Sequence, residues 1–527
     1  MSIPGLADNL GSLLETAAAR YGDKKALHFE YDDSSLTFRQ IHENVNRYAN
    51  ALAGAGVKNH DHVAVMLPNI PDFPLVWLAL ARIGAVMVPL NIRYQPGDLE
   101  YVLNDSDASA VVIFSEFLPV LDKVRAKCPG IRTVFSIGES KGRAVTRLDE
   151  AARTSSDTFK GPQIGRDQLM NIQYTSGTTG FPKGCMLTHE YWLTLAWVTS
   201  QSSFTITGED VFLSVQSFFY MDPQWQLAMA LTIGCTMILA RRYSASGFMP
   251  LVHRHNVTCS LAEAAQLIFG TPEKPDDGQH KLRFVLIFGF PSKLHKKFEE
   301  RFNVAAREAY GMTEIGACTI VPLEDAHMTG SGSVGKPLPY RELRIVDDEG
   351  REVPPGTPGE LLVKGPGLFK GYYKKKEATE AAFDGEWFRT GDLFIRDPDG
   401  YHYVAGRKKD MVRRAGENIS CAEVEYILES HPKLLRVAVV PVPDDLTGEE
   451  VKAYVITREG ESKDTIGPGE IIEYGLKHLA KFKVPRYIEY RDSFPMTPNM
   501  RVEKHKLIAE KQDLTVGSYD AKLNKWR

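Results

Sequence analysis

The run Tyr174-Thr175-Ser176-Gly177-Thr178-Thr179-Gly180-Phe181-Pro182-Lys183-Gly184 gathers the residue types best suited to holding a phosphorylated ligand. Glycines let backbone N–H groups turn toward an anion without Cβ clashes, and Ser and Thr hydroxyls add further donors. Lys183 adds a compact positive charge that can meet a phosphate. The spacing does not fit GxxxxGK[ST], so this is not the usual nucleoside-triphosphatase loop. Gly/Ser/Thr-rich turns also serve as plain linkers. Here, however, an apolar run over 169–174 predicts a buried strand entering the loop, and helical spacing resumes at Thr188. A second glycine pattern, Gly330-Ser-Gly332-Ser-Val-Gly335, matches GxGxxG. No strand is predicted before it, and Lys336-Pro337-Leu338-Pro339 stands where a helix should start, so it is discarded as a dinucleotide site.

The elements that must position the loop follow from periodicity. Helical spacing occurs over 38–53 and 73–83, and short apolar runs over 62–67, 111–114 and 134–137 read as strands. Beyond the loop, 211–215, 235–239, 257–261 and 284–288 are further strand-like runs, with helical segments between several of them. Strands alternating with helices predict an α/β fold with largely parallel sheets covered on both faces. After about Gly316 the texture changes to glycine- and proline-rich β segments over 342–346, 359–364 and 400–404. Gly406-Arg407-Lys408-Lys409-Asp410 is a charged junction, followed by an α+β pattern: helices over 422–430 and 469–479, strands over 436–442, 451–456 and 487–490. The expected division is a large N-terminal domain, 1–408, with a β subdomain, and a small C-terminal domain, 409–527, whose residues 508–527 read as a short helix plus a loose tail.

Composition bounds the function classes. A chain of 527 residues is too long for one core. A net charge of −4 with interspersed signs gives no electrostatic footprint for nucleic acid or an anionic membrane. The longest apolar stretch, 227–240, is too short to span a bilayer, and residues 1–19 carry Asp8 and Glu15 without a basic start, so no secretory signal is expected. The six cysteines are scattered with no CxxC pair, which predicts neither a metal clip nor a disulfide framework and suits a reducing cytoplasm.

Over nearly its whole length the chain resembles the adenylate-forming superfamily, in its acyl-CoA ligase branch, and in motif wording the carnitine/crotonobetaine-type ligases. Four motifs in family order carry the resemblance: the glycine-rich loop, Tyr310-Gly311-Met312-Thr313-Glu314, Trp387-Phe388-Arg389-Thr390-Gly391-Asp392-Leu393, and Gly406-Arg407-Lys408-Lys409-Asp410. The resemblance implies that Thr175, Ser176, Gly177, Thr178, Thr179 and Lys183 cradle the phosphates of ATP or AMP. Tyr310 and Gly311 would meet adenine, Thr313 the α-phosphate, and Asp392 and Arg407 the ribose or phosphates. Glu314 would hold Mg²⁺, a hard cation that prefers carboxylate and phosphate oxygens. Lys409 falls at the family's hinge, about which the small domain alternates between ATP-using and CoA-using arrangements. Gly416, Glu417 and Asn418 would then line the pantetheine tunnel of coenzyme A.

Two departures from the family pattern stand out. The last loop typically reads Pro-x-Thr-x-(Ser/Thr)-Gly-Lys, its lysine contacting carboxylate and α-phosphate. Here the run is Pro495-Met496-Thr497-Pro498-Asn499-Met500-Arg501, with Arg501 in the lysine position and Lys504 and Lys506 as alternatives after a register slip. The second is Ile287-Phe288-Gly289-Phe290-Pro291, where relatives carry smaller residues beside adenine and the acyl pocket. Phe288 and Phe290 either narrow the site or are ordinary core residues. Phe219, Tyr220, Met221, Trp225 and Gly289 are the expected acyl-pocket residues; Phe219, Met221, Trp225, Phe288 and Phe290 favour a hydrophobic, bulky acid, and loss of adenylation would suit a specialised biosynthetic pathway.

The expected activity is formation of an acyl-CoA thioester from an acyl-adenylate and CoA, with ATP-dependent adenylation impaired or lost at Arg501. Its partners would be that adenylate or acid, CoA, and a separate adenylating enzyme upstream, with no nucleic acid or membrane. A full two-step synthetase, transfer to a carrier protein and a nucleotide-binding pseudoenzyme stay open.

Overall fold

Unbroken runs of Val, Ala, Ile and Met form the central strands, as expected where helices cover both faces of a sheet. Val63, Ala64, Val65 and Met66 are wholly buried. The computed structural model describes residues 3–140, 142, 145–175, 182–201, 204–407, 410–414, 417–444, 447–479, 481–497 and 501–527, the side chains of 407, 413, 417 and 418 excepted. These residues divide into two compact units, one comprising the chain up to Leu343 with Val363–Phe388, the other Arg344–Leu362 with Arg389–Arg527.

The first unit contains two mostly parallel sheets. In one, His62–Met66 pairs in parallel with Val86–Pro89 and Ala110–Phe114, and Thr133–Ile137 extends it. Leu169–Thr175 joins beside Val86–Pro89 and carries the chain into the glycine-rich loop. In the other, Lys25–Phe29, Thr236–Leu239, Val211–Ser214, Cys259–Leu261, Phe284–Ile287 and Ala305–Met312 lie in parallel succession. Helices connect them, as the apolar periodicity predicts. The helix Phe38–Gly54 starts at a capping box in which Thr37 accepts from the Gln40 N–H and the Gln40 side chain accepts from the Thr37 N–H.

The discarded GxGxxG segment leads into the strand Ser333–Pro337, not into a helix. Gly335 has φ +90°, and a Cβ there would lie 1.9 Å from the Ile320 carbonyl carbon. Its glycine answers a close strand approach.

The second unit is built on the antiparallel pair Leu434–Asp444 and Gly448–Thr457, with Tyr487–Tyr490 parallel to the latter. The helices Cys421–Glu429 and Pro468–His478 supply Val424, Leu428 and Ile471 to its core. Met411–Arg414 and Glu417–Ser420 form a further hairpin in the same sheet. All six cysteines are free and buried, and no helix among the described residues is long and apolar enough to cross a membrane.

The helix expected from Thr188 begins there, His189–Ser200 with Thr188 as its N-cap. The chain between it and the glycine-rich loop is not irregular: Lys183–Thr188 is a strand antiparallel to Leu169–Thr175. That strand is short and lacks Val or Ile, so no apolar run announces it. The tail is not loose either. After the helix Lys504–Ala509 the chain returns as the hairpin Tyr519–Asp520 and Lys525–Trp526, its first strand antiparallel to Tyr487–Tyr490. The anchor is polar and invisible to hydrophobic patterning: Asp520 is fully buried, and Arg486 Nε donates to its carboxylate at 3.3 Å. Asp520→Ala should therefore lower the stability of this unit by roughly 1.5–3 kcal/mol, the usual worth of a charged hydrogen bond, read by urea unfolding followed through Trp526 fluorescence.

Candidate functional site

Two of the sequence-predicted nucleotide residues, Thr175 and Lys183, stand at the mouth of one hairpin. Thr175 and Lys183 are paired residues of its two strands, so the ends of the glycine-rich loop are held side by side. Ser176, Gly177, Thr178 and Thr179 lie outside the described residues. The base of the hairpin is braced by hydroxyl groups. Tyr174 donates to Asp105 at 2.7 Å, and Tyr101 donates to the Pro182 carbonyl at 3.0 Å. Lys375 completes the brace, its ammonium 3.2 Å from Asp105.

Tyr372 connects this hairpin to the second motif. Its hydroxyl donates to Glu314 Oε1 at 2.8 Å, and the Lys183 ammonium lies 4.7 Å from its ring centroid. The aromatic face is thus a cation site and the hydroxyl end a carboxylate partner. Burial pushes the phenol up, with the Glu314 charge adding to the effect, so the hydroxyl keeps its proton for Glu314. Lys183, Tyr372 and Glu314 form one polar line, and Thr313 is half-buried beside it. Tyr310 and Gly311 lie on the strand Ala305–Met312, paired with Gly316–Ile320, and a Cβ on Gly311 would come within 2.5 Å of the Gly316 carbonyl.

Two charged residues that hold this geometry escaped the sequence reading. Arg341 is buried and gives its guanidinium to three carbonyls: Ile315 at 2.8 Å, Ala317 at 3.1 Å and Pro366 at 2.6 Å. It therefore fastens the turn directly after Glu314. Glu308, two residues before Tyr310, accepts from the backbone N–H groups of Gly289 at 3.0 Å and Phe290 at 2.8 Å. This sets the Gly289 turn, where φ is +57°. Phe290 is a core residue, packed on Phe298 with centroids 5.3 Å apart, whereas Phe288 is 41% exposed. Nothing in the residue types alone distinguishes Arg341 and Glu308 from ordinary surface charges.

The acyl-pocket candidates sit on the segment entering the helix Met221–Ile233. Phe219 is buried with its ring 4.5 Å from that of Tyr220, and Tyr220 accepts from Asn91 at 3.4 Å. Trp225 packs on Phe212 and donates to Asp222 at 2.8 Å, and Met221 takes a contact from the Tyr191 hydroxyl. Buried amides fix the backbone beneath them. Trp77 donates to Asn171 at 3.1 Å, Asn171 to Gln224 at 2.9 Å, and Gln224 to the carbonyls of Phe218 and Tyr220 at 2.9 and 3.1 Å. Gln173, in the strand that enters the glycine-rich loop, donates to the Phe219 carbonyl at 2.8 Å.

In the second unit, Asp392 and Arg407 are opposite each other on antiparallel strands. Asp392 is buried, and its N–H donates to Thr390 Oγ1 at 3.1 Å. The side chains of Arg407, Glu417 and Asn418 lie outside the described residues, as do Lys409 and Gly416 altogether. Arg501 is exposed at the closing position of a hairpin: its N–H donates to Thr497 Oγ1 at 3.1 Å, its carbonyl accepts from Thr497 N–H at 2.8 Å, and Met496 bridges Val502. Lys504 points elsewhere. Its ammonium is 2.7 Å from Glu425 and 3.8 Å from Asp410. Burial alone would pull this lysine down, but Glu425 and its neighbours outweigh it and hold the group above its ordinary value. Lys506 donates to Glu503 at 2.6 Å.

Comparison with known proteins is consistent along the chain. The family described as AMP-binding enzyme matches residues 14–373, and the AMP-binding enzyme C-terminal domain matches 423–501. The crotonobetaine/carnitine–CoA ligase of Salmonella typhimurium is 35% identical over 526 residues, covering 96% of this chain and 100% of that protein. Among solved structures, the anthranilate CoA ligase AuaEII in complex with anthranoyl-AMP is 27% identical with a TM-score of 0.84, covering 96% of this chain and 98% of that one. ATP-bound MatB from Rhodopseudomonas palustris is 28% identical with a TM-score of 0.85, covering 95% and 98%.

Burial pushes the Glu308 carboxyl up to about 7, against the two backbone N–H groups that favour its ionised form. A carboxyl raised on folding contributes stability that is whole below its ordinary value of 4.5 and is lost as pH rises through about 7. Glu308→Gln removes this titration and sets an amide N–H₂ against one backbone donor, at a cost of roughly 1–3 kcal/mol. Melting curves of both proteins should show the wild-type advantage greatest at the acidic end of that window and shrinking toward its upper end.

Proposed function

The chain belongs to the AMP-binding enzyme family, in its acyl-CoA ligase branch, and from that premise we propose that it works chiefly in the second ligase half-reaction. In that reaction the CoA sulfur bonds to the acyl carbon of an acyl-adenylate, the carbon–oxygen bond to AMP breaks, and the thiol proton passes to solvent. The first half-reaction, in which a carboxylate oxygen bonds to the α-phosphorus of ATP and pyrophosphate leaves, is impaired or lost. The observation that carries this reading is Arg501, with the two lysines that follow it engaged by Glu425, Asp410 and Glu503.

A lysine ammonium is small enough to sit between two oxygens, whereas a guanidinium is planar, wider and suited to bidentate contact. Adenylation concentrates negative charge at the α-phosphorus, and losing one preorganised donor there costs roughly 3–4 kcal/mol, or about 10²–10³ in rate. In the proposed division, 1–408 and 409–527 turn about Lys409, so the loop bearing Arg501 serves the first step. Gly416, Glu417 and Asn418 serve the second, which is spared.

The remaining residues take the roles their chemistry suits. Lys183 and the hydroxyls of the glycine-rich loop hold phosphate oxygens, Tyr310 and Gly311 meet adenine, Thr313 the α-phosphate, and Asp392 and Arg407 the ribose. Glu314 would hold Mg²⁺: an oriented carboxylate oxygen, fixed by the Tyr372 hydroxyl, is the donor this ion takes alongside phosphate oxygens. When bound, the ion screens phosphate charge. Phe219, Tyr220, Met221, Trp225 and Gly289 favour a hydrophobic, bulky acid of a specialised pathway, delivered as its adenylate by a separate enzyme.

A second reading, a complete two-step synthetase, is favoured by the polar line from Lys183 through Tyr372 to Glu314, which a thioesterifying enzyme that never handles ATP has less need to keep. A panel of hydrophobic acids and their preformed adenylates separates the two. Arg501→Lys should raise pyrophosphate release from acid and Mg-ATP by about 10²–10³ while leaving CoA-dependent AMP release from the adenylate unchanged. Rapid pyrophosphate release by the wild-type chain, with no gain in Arg501→Lys, would establish the two-step enzyme instead.

A further inference from the structure

The first β-hairpin carries a donor set that ligase chemistry does not use. His28 lies on the strand Lys25–Phe29, Glu30 follows it, Asp33 sits in the turn, and Ser35 is the residue opposite His28 on the returning strand Ser34–Thr37. His255, more than two hundred residues later, ends the helix Ala245–His255. The side chains of His28, Glu30 and His255 are only 6%, 11% and 13% exposed.

Both imidazoles direct Nε2 at one carboxylate oxygen. His28 Nε2 is 3.3 Å from Glu30 Oε1 and 3.4 Å from Asp33 Oδ1, and His255 Nε2 is in direct contact with the same Glu30 Oε1. The ligand atoms of His28, Glu30 and His255 all lie within 4.8 Å of one another. The His28 separations exceed the usual N–H···O length of about 2.9–3.0 Å. They are close to the edge, about 3.3 Å, of a tetrahedron whose corners stand about 2.0–2.1 Å from its centre, the bond length of zinc to imidazole nitrogen and carboxylate oxygen, whereas the His255–Glu30 contact is shorter than that edge and must open to admit an ion. Ser35 Oγ is 2.9 Å from His28 Nδ1, which orients the ring and leaves Ser35 able to accept from Nδ1–H when Nε2 binds an ion. Arg254 stands outside the cluster, 3.4 Å from Glu30 Oε2 and 3.5 Å from Asp33 Oδ1, where it offsets part of the carboxylate charge.

We propose that His28, Glu30 and His255, with a water in the fourth position, form a structural site for a divalent transition ion of the zinc class. Imidazole nitrogen selects such an ion over Mg²⁺ or Ca²⁺, which take oxygen ligands. The ion ties the first hairpin to the helix Ala245–His255, two segments remote in sequence. Without it the same contacts are hydrogen bonds between imidazole and carboxylate.

The test uses the full chain, stripped with EDTA, desalted and titrated with Zn²⁺ in a calorimeter. One ion per chain is expected, with an upward shift of the melting temperature, and Co²⁺ loading should give the visible absorption of a tetrahedral nitrogen–oxygen site. His255→Gln and Glu30→Gln should abolish the stoichiometric isotherm and the melting shift. Ser35→Ala, which keeps every ligand, should weaken Zn²⁺ about 10–100-fold. Melting each variant in EDTA separates loss of the ion from loss of the fold, and Ser35→Ala carries the test if a ligand variant fails to fold. Absence of stoichiometric Zn²⁺ uptake by the wild-type chain, or uptake of equal affinity in His255→Gln or Ser35→Ala, would overturn the site and leave the imidazole–carboxylate clasp.

Discussion

A buried guanidinium that spends its donors on backbone carbonyls fixes the turn on which Thr313 and Glu314 depend. Arg341 reaches Ile315, Ala317 and Pro366 from a position only 6% exposed. Burying a charge is costly unless its hydrogen bonds are made, and each carbonyl would itself be costly to leave unmet. Cation and turn therefore satisfy one another, and neither has a cheaper arrangement. The Glu314 side chain is then a short step from Tyr372, whose ring faces Lys183. Turn and glutamate hold their relative places because one arginine holds the turn.

The same logic of polar groups settled in the interior recurs at Glu308, which caps the Gly289 turn, and at Asp520, which pins the tail. This explains the uneven legibility of the sequence. The strands His62–Met66, Ala110–Phe114 and Phe284–Ile287 are unbroken apolar runs, and their parallel order follows from the helices between them. The four motifs mark the candidate residues before any coordinate is known. What stays hidden is whatever polar contacts determine. Lys183–Thr188 is a strand because it pairs with Leu169–Thr175, not because its residues favour one. The terminal hairpin is ordered by Asp520 beside Arg486, two residues that look like surface charges in the sequence. Phe290, read as either wall or core, proves to be core because Glu308 turns the backbone and the ring falls against Phe298.

The position of Arg501 is framed by contacts on either side of it. Thr497 holds it through its own N–H, given to the Arg501 carbonyl, and its hydroxyl, which accepts from the Arg501 N–H, while Met496 bridges Val502. Lys504 is anchored to Glu425 by its own ion pair and helps hold the helix Cys421–Glu429 against the chain that follows the hairpin.

The amide relay from Trp77 through Asn171 and Gln224 to the carbonyls of Phe218 and Tyr220 has a consequence for how such a chain diversifies. It grips main chain, so the ring and thioether groups above it bear none of the duty of shaping the backbone. On the proposed acyl-pocket assignment, a lineage can exchange those groups and try new acids while the platform that presents them stays in place. Tolerance of novelty at the wall is thereby rooted in intolerance a few ångströms below it.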